Sequence, residues 1–257
     1  MTPTVSIVTP LFDGSAFLAE HIASVQAQQM GDYEHLIVDN LSADDGPAIA
    51  RRAAESDPRI RLLEQRGSRC PAATRNAGIA AARGRFIAFL DCDDMWHPQK
   101  LSTQIAAMQR AGAAFSWTGY DIVDVAGHPL RRQSVPTEAG LGDLLDRRLV
   151  IGCLTAVYDR EQLGRLPMPT DAAPEDFCLW ADILTTCGAR DLPVIGLPDA
   201  LATYRVHADG ASADKRRAAR IYWAACRGHL GLSRRRAAWH FSQYALRSLA
   251  VRMRRER

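Results

Sequence analysis

The chain has 257 residues, 47% of them hydrophobic and 24% charged, which is the composition of a globular protein with one main core. No apolar run approaches the roughly 18 residues that a membrane-spanning helix needs, and no basic segment followed by an apolar run opens the sequence. These features argue against a membrane-spanning or secreted protein, so we expect a cytoplasmic one. The formal net charge of +3 hides an asymmetry: residues 215–257 carry 13 Lys and Arg against one acid, whereas residues 1–214 carry a net charge of −9.

Short apolar runs and stretches with helical periodicity alternate over the first hundred residues. A β-branched apolar run predicts a strand, and apolar residues that recur with a period of about 3.6 predict a helix. Their alternation predicts an α/β fold with a Rossmann-like, mostly parallel central sheet and helices on both faces. The predicted pairs, strand first, are 5–10 with 15–28, 35–39 with 47–55, 59–63 with 71–82, and 85–90 with a helix that opens near Pro98.

The alternation stops after Phe115, and the second half of the chain is predicted to be mixed. Irregular strands are predicted over residues 117–130, around a turn at Gly127, and further strands over 150–158 and 202–206. A second doubly wound unit is therefore not expected.

Three of the predicted strands end in residues that can do chemistry. Ligands of open parallel sheets bind outside the carboxyl ends of the strands, so these positions are the first candidates for a site. The first strand ends at Pro10, the second at Asp39, and the fourth in the acidic run Asp91-Cys92-Asp93-Asp94.

The acidic run is the strongest of these signals. Its three carboxylates lie within four residues and repel one another, so a cation or hydrogen-bond donors must offset the repulsion. A hard ion such as Mg²⁺ or Mn²⁺ prefers oxygen ligands and takes one or two protein carboxylates, completed by substrate phosphates and water. The alternative is that these acids cap the following helix, whose dipole also favours negative charge.

Five sequence blocks occur together in a combination that has a known counterpart. They are 5–12 (VSIVTPLF), 36–44 (LIVDNLSAD), 73–78 (ATRNAG), 82–94 (ARGRFIAFLDCDD) and 96–101 (WHPQKL). In this combination they resemble glycosyltransferase family 2, the inverting enzymes of the GT-A fold, and the resemblance covers nearly all of the first 210 residues. It implies an enzyme that uses a nucleotide-sugar donor and a divalent metal.

The resemblance also implies donor-binding residues. Pro10 belongs to them, and Asp39 is expected at the nucleotide base. Arg75 is expected at the base or the diphosphate, Asp91 at the ribose, and Asp93 at the metal. The alternatives are a turn residue for Asp39 and a solvated helix charge for Arg75.

One position departs from the family pattern. The family usually has Asp-Asp where this chain has Asp39-Asn40. An amide therefore replaces a carboxylate beside Asp39, the residue that is expected at the base.

The acceptor hydroxyl needs a carboxylate within hydrogen-bond reach that takes its proton during the attack. Glu175 and Asp176 resemble the Glu-Asp motif of the family at the start of a helix. Asp176 is the predicted base, and Glu175 is the second candidate. Two acids inside a helix N-terminus have a structural alternative as well, because the helix dipole favours them there.

A late segment, 204–207 (YRVH), with Ser212 just beyond it, resembles a family segment whose Arg and His approach the metal or the diphosphate. A neutral imidazole can ligate a transition ion, so His207 is a candidate metal ligand beside Asp93. The alternative is a surface histidine at the end of a strand.

The leading hypothesis is an inverting, metal-dependent glycosyltransferase of the hexosyltransferase type. It would transfer a sugar from a nucleotide-diphosphate donor, with UDP favoured, to a saccharide or lipid-linked acceptor of cell-surface polysaccharide or glycolipid synthesis. One alternative is a metal-dependent nucleotidyltransferase, although no glycine-rich phosphate loop follows the first strand. Another is a non-catalytic membrane or nucleic-acid adaptor on a degenerate transferase scaffold.

The sequence divides into a GT-A catalytic domain over residues 1–212 and a basic amphipathic helical tail over residues 213–257. Such a tail suits a peripheral helix on an anionic membrane, which would place the protein at the inner face of the membrane. The open alternative is a helix packed on the catalytic domain with solvated arginines. Nucleic acid is disfavoured as a partner because the tail has no recognised binding motif. The predicted apolar arc consists of Trp239, Leu246, Leu249, Ala250 and Met253, flanked by Arg236, Arg247 and Arg254.

Overall fold

The computed structural model describes residues 2–65, 70–207 and 215–255, of which 215, 216 and 247–255 are described by their backbone alone. These residues form one twisted sheet with helices packed around it. The strands are β1 (Val5–Leu11), β2 (Tyr33–Asp39), β3 (Ile60–Glu64), β4 (Phe86–Phe89), β5 (Met95–Trp96), β6 (Phe115–Val123), β7 (Pro129–Gln133), β8 (Val157–Asp159) and β9 (Val194–Arg205).

Helices connect most of these strands. Within the described residues, every helix is too short or too polar to traverse a bilayer. The helices are α1 (Ser15–Gln26), α2 (Gly46–Ser56), α3 (Pro71–Ala81), α4 (Lys100–Ala111), α5 (Leu141–Leu145), α6 (Arg160–Leu163), α7 (Glu175–Ala189), α8 (Lys215–Ala224) and α9 (Arg234–Arg255), with a 3-10 turn at Cys153–Thr155 and a π-helical turn at Ala225–His229.

The strand order is β3-β2-β1-β4-β8-β6-β9-β5, and β7 pairs with the later residues of β6 outside this order. From β3 to β4 all neighbours are parallel, which is the architecture that the alternating apolar runs predict. Beyond β4, β8 runs antiparallel to both β4 and β6, β9 runs parallel to β6, and β5 closes the edge antiparallel to β9. The predicted α/β fold with a mixed second half is confirmed.

Two predicted strands differ in extent from the observed ones. β8 is confined to Val157–Asp159, because the run before it forms the 3-10 turn. β9 begins at Val194, well before the predicted 202, and its register against β6 shifts near Gly119. Pro198 and Asp199 interrupt the apolar pattern inside β9, which is why the sequence indicated a strand only after them.

The side chains of the parallel strands alternate between two apolar layers, as the period of two in a strand requires. Val8 and Leu36 point to the layer that contains α3 and α7, whereas Ile7 and Ile37 point to the layers that contain α1, α2 and α4. Gly78 brings α3 close to β1, because a Cβ there would lie 2.5 Å from Cγ1 of Val8. This close approach places the first turn of α3 beside the ends of β1 and β4.

The helices α8 and α9, which belong to the predicted basic tail, pack on α5 and α7 through one face. Tyr222, Cys226 and Ala237 are buried in a cluster with Leu145 of α5, and the hydroxyl of Tyr222 donates to the carbonyl oxygen of Leu145 at 2.6 Å. The ring of Tyr222 also lies 5.6 Å from the ring of Phe177 on α7. The tail therefore supports the helix that begins with the two predicted base candidates.

The opposite face of α9 carries exposed apolar side chains. Trp239 is 62% exposed and Leu246 61% exposed, and both lie about 180° around the helix from Ala237. Each interpretation of the tail thus corresponds to one face of α9: the packed face to a helix docked on the rest of the protein, and the exposed face to a membrane contact. The side chains of Leu249, Ala250, Met253, Arg247 and Arg254, as well as Ser212 and the predicted boundary between 212 and 213, lie outside the described residues.

Candidate active site

The carboxyl ends of β1, β2 and β4 meet at one edge of the sheet, and a cleft of about 230 Å³ opens there. The parallel pairing of these strands brings their ends together, although they are far apart along the chain. α3 closes the cleft from the side. The cleft is lined by Pro10, Leu11, Phe12, Asn40, Pro71, Thr74, Arg75, Asp91, Cys92 and Asp93.

Arg75 is a buried cation that joins two acids of the site. It is 7% exposed, which contradicts the alternative of a solvated helix charge. Its Nη2 donates to Oδ1 of Asp91 at 2.6 Å and its Nη1 to Oε1 of Glu175 at 3.1 Å. Burial alone would lower the pKa of Arg75, but Asp91 and Glu175 raise it well above its ordinary value. Arg75 therefore stays charged and holds the end of β4 against the start of α7.

Asp176 lies in the first turn of α7, and a cis peptide bond between Ala173 and Pro174 precedes that helix. Its Oδ1 accepts a hydrogen bond from the backbone N–H of Phe177 at 2.7 Å. Burial raises the pKa of Asp176 to about 6, with Arg75 opposing that rise and Glu175 adding to it. A carboxylate with a pKa in this range can accept a proton near neutral pH.

The acidic run does not cap α4. That helix begins at Lys100 with Gln99 as its N-cap, and the two-residue strand β5 lies between it and the acids. The capping alternative is therefore wrong for the acidic run, and the repulsion among the three carboxylates needs another explanation.

The three acids of the run face different surroundings. Asp93 contacts His207 through Oδ2 and Nε2, which are 2.9 Å apart. Burial and the neighbouring Asp91 raise the pKa of Asp93. Asp94 is buried, and burial together with Asp93 and Asp91 raises its pKa well above the ordinary value. Burial and mutual repulsion therefore disfavour the charged forms of Asp93 and Asp94.

Asp93 and His207 suit a divalent cation. Within the described residues, no three His, Cys, Asp or Glu side chains converge as a complete metal shell. Mg²⁺ and Mn²⁺ need no such shell, since one or two protein ligands are completed by substrate phosphates and water. Asp93 offers a carboxylate oxygen, and burial disfavours the unpaired charge of that carboxylate. His207 offers an imidazole nitrogen beside it, so the two side chains form a donor set of this kind.

The two residues after β2 have different surroundings. Oδ1 of Asp39 accepts from the backbone N–H of Ser42 at 3.2 Å, as the turn alternative expected. Asn40 is 3% exposed and lines the cleft, and its buried Oδ1 has no hydrogen-bond partner among the described residues. No role was predicted for Asn40, although its place directly after Asp39 at a strand end was the available signal.

The predicted site residues fall into two groups in the structure. Pro10, Arg75, Asp91 and Asp93 line the cleft. An ion pair extends this group from Arg75 to Glu175, and a hydrogen bond extends it from Asp93 to His207. Asp176 follows Glu175 in α7. Asp39 stands outside the cleft lining, at the end of β2.

Two solved structures share the fold of this protein. The protein aligns with S. aureus TarS 1-349, solved with UDP-GlcNAc, at a TM-score of 0.69 and 16% identity, over 94% of this chain and 71% of that one. It aligns with the mannosyltransferase PcManGT of Pyrobaculum calidifontis, solved with GDP-Man and Mn²⁺, at a TM-score of 0.65 and 19% identity, over 98% of this chain and 76% of that one. The fold is the GT-A fold.

The sequence comparisons give the family. Residues 6–163 match the profile of Glycosyl transferase family 2. The putative teichuronic acid biosynthesis glycosyltransferase TuaG of Bacillus subtilis is 32% identical over 98% of both chains. The Escherichia coli glucosyltransferase WfgD, named for a GlcNAc-diphosphoundecaprenol acceptor, is 30% identical over 85% of this chain and 83% of that protein. The chain belongs to glycosyl transferase family 2, and the family predicted from its motifs is confirmed.

Proposed function

We propose that this protein is an inverting glycosyltransferase of cell-surface polysaccharide or glycolipid synthesis. It transfers a hexosyl group from a nucleotide-diphosphate sugar, with UDP as the favoured nucleotide, to a hydroxyl of a saccharide or lipid-linked acceptor. Support for the donor comes from TarS, which was solved with UDP-GlcNAc. Support for the acceptor comes from TuaG, named for teichuronic acid synthesis, and WfgD, named for a diphosphoundecaprenol-linked acceptor.

The observation that carries the proposal is the bridge that Arg75 makes between Asp91 and Glu175. Asp91 belongs to the strand-end cleft, whereas Glu175 precedes Asp176 at the start of α7. One buried cation thus holds the proposed donor side against the proposed acceptor side. The buried Nε of Arg75 has no partner among the described residues and remains available to a phosphate oxygen.

Asp93 and His207 are the proposed ligands of Mg²⁺ or Mn²⁺. Such an ion supplies Lewis-acid neutralisation of the negative charge that grows on the diphosphate as it leaves. Asp93 brings a carboxylate oxygen and His207 an imidazole nitrogen, and PcManGT was solved with Mn²⁺. Arg75, which lines the same cleft as Asp93, adds a second positive charge there.

Asp176 is the proposed general base. The acceptor oxygen attacks the anomeric carbon of the donor while Asp176 takes the hydroxyl proton. The bond from the anomeric carbon to the phosphate oxygen breaks, and its electron pair leaves with the nucleoside diphosphate. A single displacement from the opposite face inverts the anomeric centre. The raised pKa of Asp176, about 6, leaves it ionised at neutral pH and basic enough for this step.

A donor screen tests the proposal directly. The purified protein is incubated with UDP- and GDP-sugars, with and without Mn²⁺, and its melting temperature and the released nucleotide are measured. A UDP-sugar should raise the melting temperature more with Mn²⁺ than without it, because a ligand that binds only the folded state stabilises it. Release of nucleoside diphosphate supports sugar transfer. Release of pyrophosphate would establish the nucleotidyltransferase instead.

We further propose that the enzyme works in the cytoplasm, at the inner face of the membrane, through the exposed face of α9. Trp239 and Leu246 lie on that face, and residues 215–257 carry 13 Lys and Arg against one acid. Apolar side chains in a strongly basic helix favour an anionic lipid surface. The inner face of the same helix packs on the catalytic domain, so the membrane contact does not require the tail to detach.

Vesicle sedimentation tests the membrane contact. The protein should bind vesicles of anionic phosphatidylglycerol but not of neutral phosphatidylcholine, and the double change Trp239→Ser with Leu246→Ser should weaken the binding. Leu130→Ser on β7 is the matched control, since Leu130 is similarly exposed, at 57%, on another element. Equal binding by the double variant and the control would exclude this face of α9. Deleting the tail is a poorer test, because it would uncover Leu145 and Phe177.

A further inference from the structure

Arg205, the last residue of β9, is a buried cation whose hydrogen bonds reach three segments of the chain. It is 4% exposed. Its Nε donates to the carbonyl oxygen of Asp93 at 3.2 Å and its Nη1 to that of Val125 at 2.9 Å. Its Nη2 donates to Oε2 of Glu20 at 2.7 Å. The side chain therefore binds the backbone of the acidic loop and leaves the carboxylate of Asp93 unengaged by it.

The backbone beside Arg205 holds the same loop from a second side. The N–H of Arg205 donates to Oδ1 of Asp94 at 3.0 Å. The carbonyl oxygen of Asp94 lies 3.0 Å from Nδ1 of His21, which donates to it when that nitrogen carries the proton. Both carbonyl groups of the loop segment 93–94 are thus tied to side chains from outside the loop.

One face of α1 completes the arrangement. Phe17, Glu20 and His21 have the spacing that places side chains together on a helix. The guanidinium of Arg205 lies over the ring of Phe17 at 4.9 Å, and the rings of Phe17 and His207 pack edge to face with 5.3 Å between their centres. Arg205 therefore lies among both proposed metal ligands and the helix that supports them.

We propose that Arg205 is a positioning residue, which holds the backbone of Asp93 and the end of β9 so that Asp93 and His207 face one cation. The proposal rests on the proposed metal role of these two residues. A planar guanidinium donates in fixed directions to three acceptors at once, which the single ammonium of lysine does not reproduce. Residues that orient metal ligands through hydrogen bonds change the affinity of the site for the metal, although they do not contact the metal themselves.

The test uses Arg205→Lys and Glu20→Ala, with Glu55→Ala as the matched control. Glu20 is exposed, so its variant removes one partner of Arg205 without opening the core; Glu55 is an exposed glutamate on the neighbouring helix α2. Hydrogen exchange of the metal-free protein is measured first. Faster exchange in both test variants should be confined to peptides over residues 91–97 and 203–207, with the control unchanged.

Mn²⁺ binding in the presence of UDP, followed by electron paramagnetic resonance, is the second measurement. Arg205→Lys should weaken Mn²⁺ binding about tenfold, as expected for a residue that orients the ligands without contacting the metal. Glu20→Ala should weaken Mn²⁺ binding less. The Michaelis constant for the donor should rise as the affinity for Mn²⁺ falls. A purely structural role would lower the melting temperature and change neither the Mn²⁺ affinity nor the Michaelis constant. Asp93→Ala provides the reference for loss of the metal.

Unchanged exchange over residues 91–97 in Arg205→Lys would overturn the proposal, and so would faster exchange spread evenly over the sheet, including β2. A wild-type protein that binds no Mn²⁺ with or without UDP would contradict the metal role of Asp93 and His207. In that case hydrogen exchange alone tests the role of Arg205. Faster exchange confined to residues 91–97 and 203–207 supports the positioning of the loop by Arg205, and unchanged exchange there overturns it.

Discussion

The carboxylate of Asp93 and the imidazole of His207 lie 2.9 Å apart, although 114 residues separate them in the sequence. Asp93 follows β4 and His207 follows β9, two strands that are separated in the sheet by β8 and β6. Their contact joins the first half of the fold, which has the parallel strands, to the second half, which has the mixed ones. A cation bound there would depend on both halves at once.

Removal of Asp93 should therefore remove metal-dependent donor binding. In Asp93→Ala the affinity for UDP should no longer rise when Mn²⁺ is added, because the carboxylate ligand is gone. The measurement is isothermal titration of UDP with and without Mn²⁺. Asp45→Ala is a suitable control, since this exposed acid at the start of α2 makes no side-chain cap hydrogen bond. An undiminished response to Mn²⁺ in Asp93→Ala would move the metal to other residues.

Asp176→Asn should lower kcat by about 100-fold while donor affinity stays near that of the wild type, as expected for the loss of a general base. The wild-type kcat/KM should fall as the pH drops below about 6, because the carboxylate becomes protonated there. This decline should be absent from the residual activity of Asp176→Asn. Glu175→Gln is the comparison, since it should keep the decline. A decline that disappears in Glu175→Gln instead would make Glu175 the base.

The same substitution should stabilise the fold at neutral pH. Burial raises the pKa of Asp176 to about 6 in the folded state, above the value of about 3.9 in an unfolded chain. Folding is therefore opposed by about 1–3 kcal/mol above pH 6, and this penalty disappears as the pH falls through 6 towards 4. The melting temperature of Asp176→Asn should exceed that of the wild type at pH 8 and approach it near pH 4.

A control at an exposed acid separates this effect from a general loss of negative charge. Asp171→Asn, in the loop before α7, should change the melting temperature little at either pH, as surface substitutions usually do. A melting temperature of Asp176→Asn equal to that of the wild type at pH 8 would mean that Asp176 is not destabilised by burial.

Gly78→Ala should destabilise the protein by about 1–3 kcal/mol, because its new methyl group would overlap the side chain of Val8 and push α3 off the sheet. Gly188→Ala in α7 meets no atom within 4 Å and should instead stabilise the protein by about 0.5–1 kcal/mol. Urea denaturation of the two variants gives the comparison. Similar stability of both would show that α3 can shift without loss.

Local patterns in the sequence predicted the parallel half of the fold well. The strands β1, β2 and β4 are short, continuous apolar runs, and runs of this kind identify buried strands whose ends form a site. Pro10, Asp39 and Asp91 were placed at strand ends from this pattern, and the family was recognised from the motifs around them. The start of α7 at Glu175 also agrees with the motif that indicated it.

The second half was less predictable, because its strands depend on neighbours that are distant in the chain. β9 runs through Pro198 and Asp199 and is kept extended by pairing with β6, and no local sequence pattern predicts that pairing.

The structure of the tail also depends on contacts that are distant in the chain. Its sequence allowed both a lipid-facing and a domain-facing helix, and the packing of Ala237 against the domain decided which face of α9 remains exposed.

What the sequence determined by itself is the order of the strands and helices from β1 to β4 and the kinds of residue at the strand ends, because both follow from periodicities of a few residues; the short strand β5 was not predicted. What only the tertiary structure decided is which side chains meet. Arg75 reaches Asp91 and Glu175, and His207 reaches Asp93, through pairing across the sheet and helix packing on it. Pairing and packing depend on the complementary shape of the whole core rather than on any single segment.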